Sequence, residues 1–199
     1  MMLGTTILEE RESKYNGHIR VLRTWGMGTY IQSDGLTQSG GIVESIWRQT
    51  LENINFKKLN AKSILILGLG GGTVAKLLRK KYPKANIIGV EIDPIMIELG
   101  RKYLDLDKYD LDIKICDAVK FLKNNRKKYD LLIVDTYLGD KFVEITGLHP
   151  VIAEITVFNR LYFKNKKQEA IDFGKKLETM YRNVTWFYPT TNLMFICES

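Results

Sequence analysis

Four carboxylates stand at comparable places along this chain. Glu91 closes the apolar run NIIGVE and Asp93 follows it. Asp117 follows DIKIC, and Asp135 closes LLIVD. An acid at the end of a buried strand can accept hydrogen bonds from a ligand's hydroxyls, meet an amino group or take a proton from a nucleophile. Ahead of them lies a glycine turn, Gly68-Leu69-Gly70-Gly71-Gly72-Thr73, directly after the run SILIL. Glycines at such a handover let backbone approach a ligand closely. With Glu91 about twenty residues further on, the pair describes a pocket for a nucleoside, its carboxylate on the ribose hydroxyls. A dinucleotide fingerprint would need glycine where Thr73 stands, which counts against a nicotinamide-linked oxidoreductase. The alternating Gly68, Gly70 and Gly72 fit instead, and a P-loop's Lys-Ser/Thr pair is missing. Each acid also has a plainer reading: Asp93 and Asp117 as helix N-caps, Asp135 as the opening of a turn.

To bring these residues to one edge, the chain needs parallel strands with helices between them. Strands are expected at 63–68, 86–91, 111–115 and 130–135, and helices at 72–81, 94–103 and 117–126. SILIL, NIIGV and DLLIV are nearly continuous apolar runs, as parallel strands covered on both faces require. Pro94 suits the first turn of the helix after Asp93. Alternation of this kind implies right-handed βαβ units, whose ligands bind outside the carboxyl ends of the strands.

Before this core, residues 5–33 read as three strands of a small antiparallel segment, ended by the turn at Asp34-Gly35. The expected division is an N-terminal β-segment over 1–36 and a nucleoside-binding domain over 37–199. Apolar positions from Ile42 to Ile54 recur at helical spacing. After Asp135, TYLGDKFVEITGLHP reads as a loop at the ligand edge and EITVFNRLYF as a fifth strand. Residues 165–182 read as an amphipathic helix, and NVTWFYP and LMFICE as a closing hairpin.

The 199 residues suit one α/β domain with a small appendage, and 45% hydrophobic with 27% charged residues is a globular profile. No apolar run is long enough to span a bilayer and the N-terminus forms no signal-peptide core, so a cytoplasmic protein without membrane contact is expected. Cys116 and Cys197 show no C-x-x-C spacing, and with only His18 and His149 beside them no metal site is expected. Both cysteines are expected to be buried. The net charge of +7 is read as a lysine-rich solvated surface rather than a nucleic-acid groove, because KNNRKK and KNKK do not interleave basic and aromatic residues.

Taken together, GLGGGTVAKLL, GVEIDP, CDAVKFL and LLIVDTY resemble the spermidine synthase family within the AdoMet-dependent methyltransferase fold. ILEERESKYNGHIRVL, SDGLTQSGGIVESIW and WFYPTTNLMFICES extend the resemblance over nearly the whole chain. It implies a Rossmann-like α/β domain with a mostly parallel seven-stranded sheet and a C-terminal antiparallel hairpin. It also implies a sulfonium nucleoside co-substrate, AdoMet or decarboxylated AdoMet. Gly68, Gly70 and Gly72 would contact it through backbone, Glu91 would hold the ribose, and Asp117 with Ala118 would meet the adenine amino group. Gln38 falls on a co-substrate-contacting glutamine and Asp135 on the first aspartate of the family's D-S-S-D loop. The implied reaction is aminopropyl transfer to a small-molecule amine such as putrescine, with oligomerisation as a homodimer or homotetramer through the N-terminal β-segment.

This chain departs from the pattern in three places. Gly71 replaces an aspartate of the glycine turn, Leu138 replaces the last acid of D-S-S-D, and Trp47-Arg48 replace a Tyr-His pair. Asp140 and Tyr137 are the candidates to stand in for the missing groups. The losses leave methyl transfer and a non-catalytic nucleoside-binding homologue as alternatives.

Overall fold

The structure is a computed structural model and describes residues 4–54, 59–145 and 148–199. The chain opens with an antiparallel sheet of β1 (Thr5–Ser13), β2 (Gly17–Thr24), β3 (Gly28–Ser33) and β4 (Leu36–Gly40), in that order. Three strands were expected here. The fourth, LTQSG, carries one large apolar residue and no alternation, so its pattern does not announce a strand. Backbone pairing with β3 makes it one, and the register slips between Ile31 and Gln32.

The helix α1 (Gly41–Asn53) then leads into the main sheet. Its elements follow as β5 (Ser63–Leu67), α2 (Thr73–Lys81), β6 (Asn86–Glu91), α3 (Pro94–Tyr103), β7 (Asp112–Ile115), α4 (Ala118–Asn124) and β8 (Tyr129–Val134). A miniature hairpin of β9 (Tyr137–Leu138) and β10 (Lys141–Phe142) comes next. It lies within the segment expected to be a loop, of which residues 146 and 147 fall outside the described residues. The chain ends with β11 (Ala153–Leu161), α5 (Lys167–Glu178), β12 (Asn183–Phe187) and β13 (Asn192–Glu198).

The seven main strands lie in the order β12-β13-β11-β8-β5-β6-β7. Only β13 runs against the rest, pairing antiparallel with β11 and β12. Period-two alternation splits the core between the sheet's faces. Ile64 and Ile66 pack with Trp47 of α1 and Leu78 of α2, while Leu65 and Leu67 pack with Leu122 of α4 and Leu177 of α5. All four β5 side chains are fully buried, so truncating one to alanine is expected to cost about 2–5 kcal/mol. Of the two cysteines, Cys197 is buried and Cys116 only half-buried, because it sits just past β7 at the sheet's edge.

Candidate active site

Backbone pairing carries on one step past the parallel strands. Gly68 N donates to Val90 O at 3.0 Å, Cys116 N to Glu91 O at 2.9 Å and Asp135 N to Leu67 O at 2.9 Å. The residues that follow β5, β6, β7 and β8 are therefore held along one edge, as βαβ topology requires. A cavity of about 310 Å3 opens there, roofed by β4 and α1. Gly68, Gly70, Glu91, Asp117, Ala118, Asp135, Tyr137 and Gln38 all border it. Glu91, Asp117 and Asp135 are the only acids on its lining among the described residues, and no Lys or Arg joins them.

The glycine turn is set by close contacts. At Gly68 the backbone has φ +84°, and a Cβ there would lie 2.1 Å from the carbonyl oxygen of Asp135. That position couples the turn directly to the end of β8. Gly71 faces away from the cavity, where a Cβ would meet Ile31 at 2.8 Å, Leu104 at 2.9 Å and Ser39 at 3.0 Å. Its amide donates to Ser39 Oγ at 2.7 Å. Gly72 is the N-cap of α2, beside Leu106 and off the cavity lining.

Glu91 is 8% exposed and accepts three backbone donors. Gly70 N reaches Oε2 at 2.8 Å, while Ile92 N and Asp93 N reach Oε1 at 2.9 and 3.0 Å. Burial raises its pKa, opposed by these amides. A carboxylate offers roughly four acceptor sites, so about one remains open at the cavity. Asp93 serves structure instead: it caps α3 through Ile95 N at 3.0 Å and accepts from Ser13 Oγ and Asn16 Nδ2 at 2.5 and 2.7 Å. Asp117 both caps α4, through Lys120 N to Oδ1 at 2.8 Å, and borders the cavity. Gln38 Nε2 donates to Gly139 O at 3.2 Å, fastening β4 to the β9–β10 turn.

Asp135 has the most organised surroundings. Trp47 Nε1 donates to its Oδ2 at 3.1 Å and Asn159 Nδ2 to its Oδ1 at 2.8 Å. Asn192 Nδ2 in turn holds Asn159 Oδ1 at 2.7 Å, which fixes the Asn159 amide with its donor toward the acid. Burial raises the Asp135 carboxyl from 3.8 to about 6, and the two donors restrain the rise. This acid therefore binds a proton more tightly than an exposed one while both of its oxygens stay oriented. Asn159 and Asn192 were not singled out from sequence. The available signal was an asparagine inside the apolar strand EITVFNRLYF, where an unpaired polar group would be costly.

The two candidate substitutes sit differently. Tyr137 borders the cavity, but its hydroxyl accepts from Leu161 N at 2.8 Å and donates to Asn159 O at 3.3 Å. Burial raises its pKa, and the group acts as a tie between β9 and β11. Asp140 is exposed, 3.2 Å from Lys166, and is not on the cavity lining. Leu138 does border the cavity. Of the Trp47-Arg48 pair only Trp47 enters the site; Arg48 pairs with Glu44 at 2.9 Å on the surface.

A family model described as the spermine/spermidine synthase domain matches residues 46–174. The spermine synthase of Saccharomyces cerevisiae is 34% identical over 147 residues, which is 68% of this chain and 49% of that protein. The polyamine aminopropyltransferase of Thermococcus onnurineus is 28% identical over 174 residues, 84% of this chain and 57% of that protein. The chain thus spans about half the length of these curated relatives. In fold, it is similar to a probable spermidine synthase of Corynebacterium glutamicum. The TM-score is 0.74 at 16% identity, over 97% of this chain and 80% of that one.

Proposed function

Because this chain belongs to the spermine/spermidine synthase family, we propose that it transfers the aminopropyl group of decarboxylated AdoMet to a small-molecule amine. The observation that carries this reading is the charge of the cavity. A chain with net charge +7 lines its cavity, among the described residues, with three carboxylates and no Lys or Arg. AdoMet keeps a carboxylate that would face these acids without a cation to pair with. Its decarboxylated form presents only a sulfonium and an ammonium, which the acids favour.

In this reading Glu91 accepts from the ribose hydroxyls, and Gly68 and Gly70 allow backbone to approach the nucleoside. Asp117 and Ala118 meet the adenine amino group. Asp135 is the general base. An amine near neutral pH arrives protonated and cannot attack until a proton leaves. The elevated proton affinity of Asp135 suits that removal, and a cation beside it draws the carboxyl back toward its ionised form. Holding amine, carbon and sulfur in line supplies the remainder of the rate.

The test is release of 5′-methylthioadenosine from decarboxylated AdoMet with a panel of amines, followed by mass spectrometry. Asp135→Asn is expected to lower kcat by about 10²–10⁴-fold. Transfer of methyl from AdoMet with no methylthioadenosine formed would instead make the protein a methyltransferase. Binding of the nucleosides without turnover would make it a non-catalytic relative.

A further inference from the structure

We propose that the acceptor is a primary monoamine with an apolar chain rather than a diamine or longer polyamine, an inference that rests on the aminopropyl-transfer reading above. Decarboxylated AdoMet brings two positive charges and a monoamine one, while Asp135 is the one carboxylate on the lining not already assigned to the ribose or the adenine. A diamine brings a fourth charge, and the acids around the acceptor end are already occupied. Asp140 pairs with Lys166, Glu144 with Lys176 and Glu169 with Arg160, and none of the three borders the cavity. The residues outside the description, 1–3, 55–58 and 146–147, contain no Asp or Glu.

Much of the lining beyond Asp135 is apolar. Leu138, Val143 and Ile145 border the cavity from the β9–β10 segment, Leu161 and Phe163 from the end of β11, and Val43 from α1. Thr136, Tyr137 and Asn159, the polar groups beside them, are already hydrogen-bonded. Thr136 Oγ1 donates to Val143 O at 2.7 Å, the Tyr137 hydroxyl is tied to β11, and Asn159 is shared between Asp135 and Asn192. A second ammonium placed here would lose its hydration without gaining a carboxylate, whereas an alkyl chain gains by leaving water.

The step balances without a further reagent. The acceptor ammonium gives one proton to the Asp135 carboxylate, and the freed nitrogen lone pair forms a bond to the aminopropyl carbon attached to sulfur. The C–S bond breaks and its electron pair goes to sulfur, converting the sulfonium to the neutral thioether of 5′-methylthioadenosine. The product keeps its charge as a secondary ammonium, and the proton on Asp135 passes to water.

Pentylamine and putrescine test this directly, since they match along the chain except that a methyl replaces the terminal ammonium. Purified protein with decarboxylated AdoMet is assayed with each for methylthioadenosine and the aminopropylated amine. The expected result is a kcat/KM for pentylamine higher by about tenfold or more. Equal or better use of putrescine overturns the monoamine inference and leaves aminopropyl transfer standing. No methylthioadenosine from any amine overturns both. Leu138→Asp supplies an acid on the lining and is expected to shift the ratio toward putrescine by about tenfold; an unchanged ratio would contradict the placement of the acceptor chain against Leu138.

Discussion

Replacing Trp47 with phenylalanine removes one of the two donors on Asp135 while keeping an aromatic ring in α1. The indole N–H reaches Oδ2 at 3.1 Å, and Asn159 serves the other oxygen. A hydrogen bond to an ionised group is worth about 1.5–3 kcal/mol, and 1.36 kcal/mol corresponds to one pKa unit. The donor favours the charged form, so its loss raises the Asp135 carboxyl from about 6 to about 7–8. At pH 7 the ionised fraction then falls from about nine-tenths to between about a half and a tenth. The carbonyl stretch of the protonated carboxyl, assigned by its disappearance in Asp135→Asn, reports the midpoint by infrared spectroscopy. The acid limb of kcat/KM for methylthioadenosine release should move upward with it. Trp47 is fully buried, so the change also loosens packing. Loosening admits water, which lowers a buried carboxyl's pKa; the direction of the shift therefore separates the two effects. A midpoint that stays put or falls in Trp47→Phe would refute the donor's role in setting the base.

Glu91→Ala should weaken binding of decarboxylated AdoMet by about 1–3 kcal/mol, measured by calorimetry, and an unchanged affinity would remove Glu91 from the site. Gly68→Ala should destabilise the fold by about 2–5 kcal/mol in denaturant unfolding, because its φ of +84° and the contact with Asp135 O both resist a Cβ; wild-type stability would contradict the coupling between the glycine turn and β8. Glu9 is drawn down from 4.5 to about 2, first by Lys102, then by Tyr103 and Arg11, so it stabilises the fold above pH 4.5 and that support is lost as pH falls toward 2. Lys102 is exposed and screened, which limits the effect to about 1 kcal/mol. Glu9→Gln should be less stable than wild type by that amount at pH 7 and equal to it below pH 2; a gap that persists in acid would mean the ion pair is not its source.

The parallel core was legible because its signals are local and redundant. SILIL, NIIGV and DLLIV can be buried on both faces, the glycine turn follows the first, and an acid stands at the end of each of the three later strands of the parallel core. Those features alone predict that Glu91, Asp117 and Asp135 meet at one edge. What stayed illegible depends on partners distant in sequence. The strand LTQSG exists through its pairing with β3 rather than through its own pattern. Asn159 and Asn192 become site residues only when β11 and β13 pair beside β8, with Asn192 donating to Asn159 and Asn159 to Asp135. Position along the loop makes Tyr137 and Asp140 candidates, yet direction decides their role. The Tyr137 hydroxyl turns to β11 and Asp140 turns to Lys166.

The three departures from the family pattern acquire separate physical explanations. Gly71 is compressed between the N-terminal sheet and α3. A Cβ on Gly100 would stand 2.8 Å from Gly71 O, and one on Gly71 would strike Ile31 and Leu104. An aspartate there would have to displace that packing of β3 and α3 against the glycine turn. Trp47 brings a new donor to Asp135, which makes the change from tyrosine an exchange of polar groups at the site rather than a loss. Leu138 is the substitution that changes the chemistry of the lining itself, apolar where the pattern has an acid, on the cavity that Asp135 also borders. If Asp135 is the base, an apolar Leu138 on the same lining is what narrows the acceptor. On the proposed reading, the Asp135 end of the cavity offers a carboxylate and the Leu138 end offers hydrocarbon, so the site would attract an amine at one end and an alkyl chain at the other.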